Sequence, residues 1–267
     1  MTVLSFPEEI ISAPVFYALR QGLIPHQFEI KILPEKEIEQ LLQQNEAVLG
    51  LLSPAAYARI TSSLRVIKDF AILSEQASSN VLLFFKENLA GMDLIYYKEN
   101  NKDTFESFIA RIVMREVFET DAVWEPIPGE SEAEDLLESF PALLLTGEKA
   151  FAGSIKKSSF IDLAEEWSLK VQLPLFNRIL VASNRFTDSG ELETLRLSLE
   201  LGMRNFKKIA VNHAKSHFPQ WSFYHDLLTR SFRYFPQEKD WDGLRLLLKY
   251  LFYYGETEYP PELSFYE

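Results

Sequence analysis

From Ala13 to Leu23 small and apolar residues recur at helical spacing (Val15, Phe16, Leu19), and the run stops at Gly22, which predicts a helix with a glycine beyond its C-terminus. Phe28 to Leu33 instead alternates Phe28, Ile30 and Ile32 with Glu29 and Lys31, the period of a strand. Pro34 to Gln44 predicts an acidic-first helix, Ala47 to Leu52 a short apolar strand, and Ser53-Pro54 the start of another helix. Helices alternating with strands predict a sheet with helices on its faces.

A second α/β series follows. Val81 to Phe85 is a continuous apolar run, as in a strand buried on both faces, preceded by the polar set Ser78, Ser79 and Asn80. Leu94 to Tyr97 predicts a further strand and Lys98 to Lys102 a polar loop. Asp103 is the expected cap of a helix whose one face carries Phe105, Phe108, Ile109, Ile112, Val113 and Val117. Helices are predicted over Ser131 to Glu138 and Phe160 to Lys170, and strands over Ala142 to Leu145 and Arg178 to Ala182. Beyond Gly190 the pattern is helical only: one long helix from Leu192 to Ile209, a second over Phe223 to Phe232, and a third over Trp241 to Leu251. Two α/β halves and a helical tail are compatible with two lobes that meet at a cleft, with ligand at strand C-termini and helix N-termini.

Composition narrows the function classes. Of 267 residues 47% are hydrophobic and 25% charged, the usage of a globular protein. A net charge of -12 without any run of Lys or Arg speaks against nucleic acid and anionic membranes as partners, so any anion site has to be local. The absence of cysteine rules out disulfides, thiolate metal sites and thiol nucleophiles. The first residues lack the charged and apolar regions of a secretory signal, and no apolar run approaches membrane-spanning length, so a cytoplasmic location is expected. The histidines are His26, His213, His217 and His225; the last-but-one pair has helical metal-ligand spacing but no evident third ligand, so no metal is expected. The tail aromatics Phe232, Tyr234, Phe235, Phe252, Tyr253 and Tyr254 read first as packing and second as a dimer surface, leaving monomer and homodimer open.

Several segments, in order, resemble the chorismate dehydratases of the futalosine route to menaquinone. They are Ser12-Ala13-Pro14-Val15, Gly50 through Arg59 (GLLSPAAYAR), Asn80 through Lys86 (NVLLFFK), Leu145 through Ala150 (LTGEKA), Asp162 through Trp167 (DLAEEW), Leu173-Pro174-Leu175, Val181-Ala182 and Asp242-Gly243-Leu244. The resemblance implies an α/β fold of the type II periplasmic-binding-protein-like kind, two-lobed with a central cleft and, here, a helical C-terminal tail. Lobe 1 is expected over residues 1–88 and 184–267 and lobe 2 over 89–183, with crossings near Lys86 to Gly91 and Val181 to Arg185. It implies dehydration of chorismate, a small-molecule carboxylate, to 3-[(1-carboxyvinyl)oxy]benzoate without a cofactor. Catalytic roles fall on Asn80, Ser12 and Glu148, and substrate-binding roles on Ser53, Ser79, Lys98, Thr104, Thr146 and Gly147.

Each of these has a plainer reading. Ser12 and Ser53 suit helix caps, Ser79 and Asn80 a turn, Lys98 and Thr104 a solvated loop, and Glu148 the field of a helix start. The chain also departs from the family where Asn is usual before the first Ala-Pro, where Ser is usual before the Val81 strand, and where Asp usually follows Gly147. A non-catalytic intracellular binder for a small carboxylate is the alternative expectation. The sister dihydroxynaphthoate synthases, whose reaction is thought to need a histidine, fit less well because no histidine falls in the expected cleft.

Overall fold

The structure, a computed structural model, describes residues 2–86, 92–127, 138–156 and 159–266. The chain forms two compact units. Unit one comprises residues 1–73, 176–216 and 220–267, and unit two residues 74–175 with 217–219. Unit one is discontinuous, and the chain changes units at Leu73/Ser74 and Leu175/Phe176. Strand pairing sets these points, because the Val81 strand pairs only within unit two and the strand after Pro174 within unit one.

Unit one is built on a sheet of β1 (Thr2–Phe6), β2 (Phe28–Ile32), β3 (Leu49–Leu52), β4 (Leu64–Ser74) and β10 (Leu175–Ser183), in the order β2-β1-β3-β10-β4. Strands β1, β2 and β3 run parallel, and β10 runs antiparallel to β3. Every residue of β10 is buried, the polar Asn177, Arg178 and Ser183 included. The expected helices appear as α1 (Ala13–Arg20), α2 (Glu35–Gln43) and α3 (Pro54–Arg59). Gly22 takes φ +63 just past α1, the left-handed turn its position predicts. β1 and β4 went unforeseen.

Unit two is built on β5 (Val81–Phe85), β6 (Leu94–Lys98), β7 (Val123–Ile127), β8 (Ala142–Thr146) and β9 (Phe160–Asp162), in the order β7-β6-β8-β5-β9. Its helices are α4 (Phe105–Glu116), α5 (Gly147–Lys156) and α6 (Leu163–Val171). Here the expectations need correction. Thr104, not Asp103, is the N-cap of α4. Residues 160–162 open as a strand paired with β5, and the helix starts only at Leu163, where the Asp162 side chain caps it. The helix expected over Ser131 to Glu138 lies almost wholly outside the described residues, as does Gly91.

The tail contributes α7 (Glu191–Arg204), α8 (Phe206–His213), α9 (Trp221–Asp226) and α10 (Trp241–Tyr253) to unit one. The single helix expected from Leu192 to Ile209 is broken at Asn205, which takes φ -116 and ψ 18 between α7 and α8. That expected over Phe223 to Phe232 is α9 followed by a π-helical turn, Leu227–Ser231. α8 ends at His213, so His213 and His217 do not share a helix, and the His213 ring packs edge-on against Tyr224. Among the described residues, no His, Asp and Glu are grouped to hold a metal ion, and no helix is long and apolar enough to cross a membrane.

Helix α1 packs on α7 at very short range. A Cβ on Gly202 would sit 2.0 Å from the Pro14 carbonyl oxygen, so only glycine allows this crossing. The last residues strap unit one: Tyr57 Oη donates to the Glu262 carbonyl (2.8 Å) and accepts from the Ser264 amide (3.2 Å), while Phe265 packs edge-on against Trp241. Phe232 and Tyr234 of the tail are buried, whereas Tyr253 is exposed.

Candidate functional site

In α/β sheets ligands gather at the C-terminal edges of parallel strands, where helix N-termini point their amides. In unit one that edge holds Ser12 and Ser53, and both are already engaged. Ser12 is buried at the start of α1, and its hydroxyl donates to the carbonyls of Glu9 (2.9 Å) and Pro7 (3.2 Å) within its own loop instead of capping the helix. Ser53 caps α3, accepting from the Ala56 amide at 3.2 Å. Glu35, from the start of α2, meets it with both oxygens: the Ser53 amide donates to Oε1 (2.6 Å) and its hydroxyl to Oε2 (3.0 Å).

A second carboxylate on this edge is Glu9. Arg178, buried on β10 and level with Ser53 by the Ile179–Leu52 register, donates from Nε to Glu9 Oε2 (3.0 Å), from Nη2 to Glu9 Oε1, and from Nη1 to the Asn177 carbonyl (2.8 Å). Neither Arg178 nor Glu9 stood out in the sequence. A charged residue inside an apolar strand run was the available signal, since a guanidinium there requires a partner.

Unit two gathers the remaining candidates. β6 and β8 run parallel, and β5 runs antiparallel to both β8 and β9, so the ends of β6, β8 and β9 and the start of β5 share one edge. Lys98, Thr104, Thr146, Gly147, Glu148, Ser79 and Asn80 all lie along it. Gly147 (φ +55) opens α5, and its amide donates to the Asn80 carbonyl at 2.9 Å. Glu148 follows in the first turn, half-buried, while Lys98 is buried at the end of β6.

Asn101 organises the turn between β6 and α4. Its Nδ2 donates to Thr146 Oγ1 (3.0 Å), and its carbonyl accepts from the hydroxyls of Thr104 (3.1 Å) and Ser107 (2.5 Å). With its hydroxyl turned to Asn101, Thr104 does not cap the twelve-residue α4 with its side chain. Asn100 ahead of the helix stands out in the sequence, and its neighbour Asn101 was the residue passed over, although asparagine organises backbone turns through its own side chain.

Asp162 is the second residue missed here. Its Oδ2 accepts from the Ser79 amide (2.6 Å) and its Oδ1 from the amides of Ala164 (3.0 Å) and Glu165 (3.3 Å). Burial pushes its carboxyl up to about 6, against the lowering effect of these amide bonds. Ser79 sits at φ +55, the left-handed region that a serine enters at a cost. Asn80 comes next; only 7% of it is exposed, and its side-chain amide makes no hydrogen bond to the described residues. The amide is not among the polar atoms shut off from solvent, so on this edge it is open to an external partner.

A sequence profile described as menaquinone biosynthesis matches residues 10–253. The chain belongs to the menaquinone biosynthesis family. No curated protein matches it. Among solved structures it is similar to protein AF1704 of Archaeoglobus fulgidus, at 16% identity and a TM-score of 0.75 over 96% of this chain and 98% of that one. It is also similar to the periplasmic aliphatic sulphonate binding protein SsuA of Escherichia coli, at 9% identity and a TM-score of 0.73 over 97% and 94%. An ABC transporter protein of Parabacteroides distasonis matches at 12% identity and a TM-score of 0.70 over 100% and 98%. The fold of this family member is therefore α/β, two-lobed and periplasmic-binding-protein-like.

Proposed function

We propose that this protein dehydrates chorismate to 3-[(1-carboxyvinyl)oxy]benzoate. The observation that carries the reading is the Asn80 side-chain amide, without a hydrogen bond to the described residues and open to solvent on the ligand edge of unit two, in a chain of the menaquinone biosynthesis family. The reaction breaks the ring C3–H and C4–O bonds; the C3 proton and the C4 hydroxide leave as water and the ring becomes aromatic. Aromatisation supplies the driving force. The protein's task is to hold the carboxylates, align the C3 hydrogen and stabilise departing hydroxide.

In this reading Asn80 donates to the leaving hydroxyl, with Ser79 beside it on the substrate. The first turn of α4, which Thr104 does not cap with its side chain, the Thr146 hydroxyl and the buried Lys98 favour a substrate carboxylate. Gly147, with open space where a Cβ would stand, lets the substrate approach the backbone, and Glu148 in the next position is the candidate base, the substrate's own carboxylate being the other. Ser12 and Ser53, whose hydroxyl protons are engaged by Glu9, Pro7 and Glu35, serve in this reading to shape the unit-one edge. No metal, nucleotide or other cofactor enters it. A cytoplasmic location goes with it.

Incubating purified protein with chorismate and following the aromatic product tests the reading. Turnover above the buffer blank that falls sharply in Asn80→Ala is expected, and no turnover would sink it. The family positions held here by Ser12 and Asn80 favour one second reading, a non-catalytic binder for a small carboxylate. That reading expects chorismate to raise the melting temperature with no product formed.

A further inference from the structure

We propose that Asp162 is a positioning residue for this site, holding the Ser79–Asn80 turn in the one shape that presents the Asn80 amide to substrate. The inference rests on the proposed function and deepens it. β9 brings Asp162 to the edge beside β5, where Leu82 is its register partner, three residues past Ser79. One carboxylate then serves two elements. Oδ1 caps α6 through Ala164 and Glu165, while Oδ2 takes the Ser79 amide at 2.6 Å.

The Ser79 bond is the consequential one. Serine at φ +55 relaxes toward the right-handed or extended regions unless something holds it, and rotation there would swing Asn80 off the edge. The neighbouring bonds fix the two ends of Asn80 but not that twist: its amide donates to Ser78 Oγ at 3.2 Å and its carbonyl accepts from Gly147 at 2.9 Å. Asp162 is thus the side chain that ties the strained residue to a helix start. Its cap on α6 is an ordinary structural duty, and the two duties are separable by chemistry.

Asp162→Ser separates them, because a serine hydroxyl caps a helix but is too short to reach the Ser79 amide as well. The expected variant melts cooperatively and keeps slow amide exchange at Ala164 and Glu165. Its Ser79 amide exchanges faster than in the wild type, and its kcat on chorismate falls by about a hundredfold, the effect of a misplaced reacting group. If Asp162→Ser does not fold, Asp162→Asn, which keeps the volume and one acceptor oxygen, is measured in the same way. A kcat within about twofold of wild type, or a Ser79 amide as protected as before, overturns the positioning role while leaving the proposed function standing. A wild-type protein inert toward chorismate removes the proposed function itself, and this role with it.

Discussion

Replacing Asp162 by Asn should change how stability depends on pH, in the direction opposite to ordinary acid denaturation. Asp162 titrates near 6 in the fold against 3.8 for the free group, because burial disfavours its charge more than its amide bonds favour it. A group whose folded pKa is raised binds its proton more tightly in the native state between those two values. As pH falls through about 6 the native state therefore gains on the unfolded one, and the gain is complete below about 4. A shift of about two units at 1.36 kcal/mol each is worth about 3 kcal/mol, of which roughly 2.4 kcal/mol accrues between pH 7 and pH 4. Urea unfolding of wild type and Asp162→Asn across that range isolates this group, since the titrations shared by both proteins cancel. The wild type should gain about 2–3 kcal/mol relative to the variant from pH 7 to pH 4, most of it between about pH 6 and pH 4. A flat difference, or one that runs the other way as in carboxylates held below their usual range, would show that burial does not dominate at Asp162.

Four further substitutions probe the packing that frames the two edges. Gly202→Ala in α7 should destabilise by about 1–3 kcal/mol, seen as a fall in melting temperature of several degrees, because the added methyl meets the Pro14 carbonyl at 2.0 Å and backbone lies on both sides; a melting temperature at or above wild type, as helix propensity alone would give, would refute the close crossing. Gly147→Ala, where φ is +55 but nothing stands within 4 Å, should cost only about 1 kcal/mol of backbone strain in the same assay, and a larger loss would mean that the Cβ position is occupied. Glu9→Ala should cost about 3–5 kcal/mol in chemical unfolding, by taking a carboxylate from a guanidinium that stays buried, whereas Arg178→Met should cost less because Glu9 is partly exposed and can turn to water; equal losses would contradict this asymmetry.

What the sequence made legible follows from where each signal is local. Val81–Phe85 is read from five consecutive apolar residues, and Ser53-Pro54 announces α3 through a cap and a proline that act within one turn. β1 was missed because Thr2–Phe6 has neither alternation nor a long apolar run and is a strand by virtue of its partners on either side, Phe28–Ile32 and Leu49–Leu52. Residues 160–162 carry helix-compatible residues that β5 claims from nearly eighty positions away. The break at Asn205 shows the same limit from the other direction: helical periodicity runs through it, and the chain nonetheless turns there. Asp162 was legible as part of a motif, but its bond to Ser79 crosses 83 positions and no spacing rule reaches that far.

The same distinction between local and distant partners separates the candidate groups by unit. In a chain of net charge -12, every amide cluster or guanidinium able to attract an external anion competes with the chain's own carboxylates. On the unit-one edge the chain's carboxylates have won, with Glu35 on Ser53 and Glu9 on Arg178. On the unit-two edge Asp162 is spent on Ser79 and the start of α6, Thr104 does not cap α4 with its side chain, and the Asn80 side chain makes no hydrogen bond to the described residues. If the proposed function holds, discrimination between chorismate and other ring carboxylates should therefore respond to changes at Asn80, Thr104 and Thr146 far more than to changes at Ser12 or Ser53.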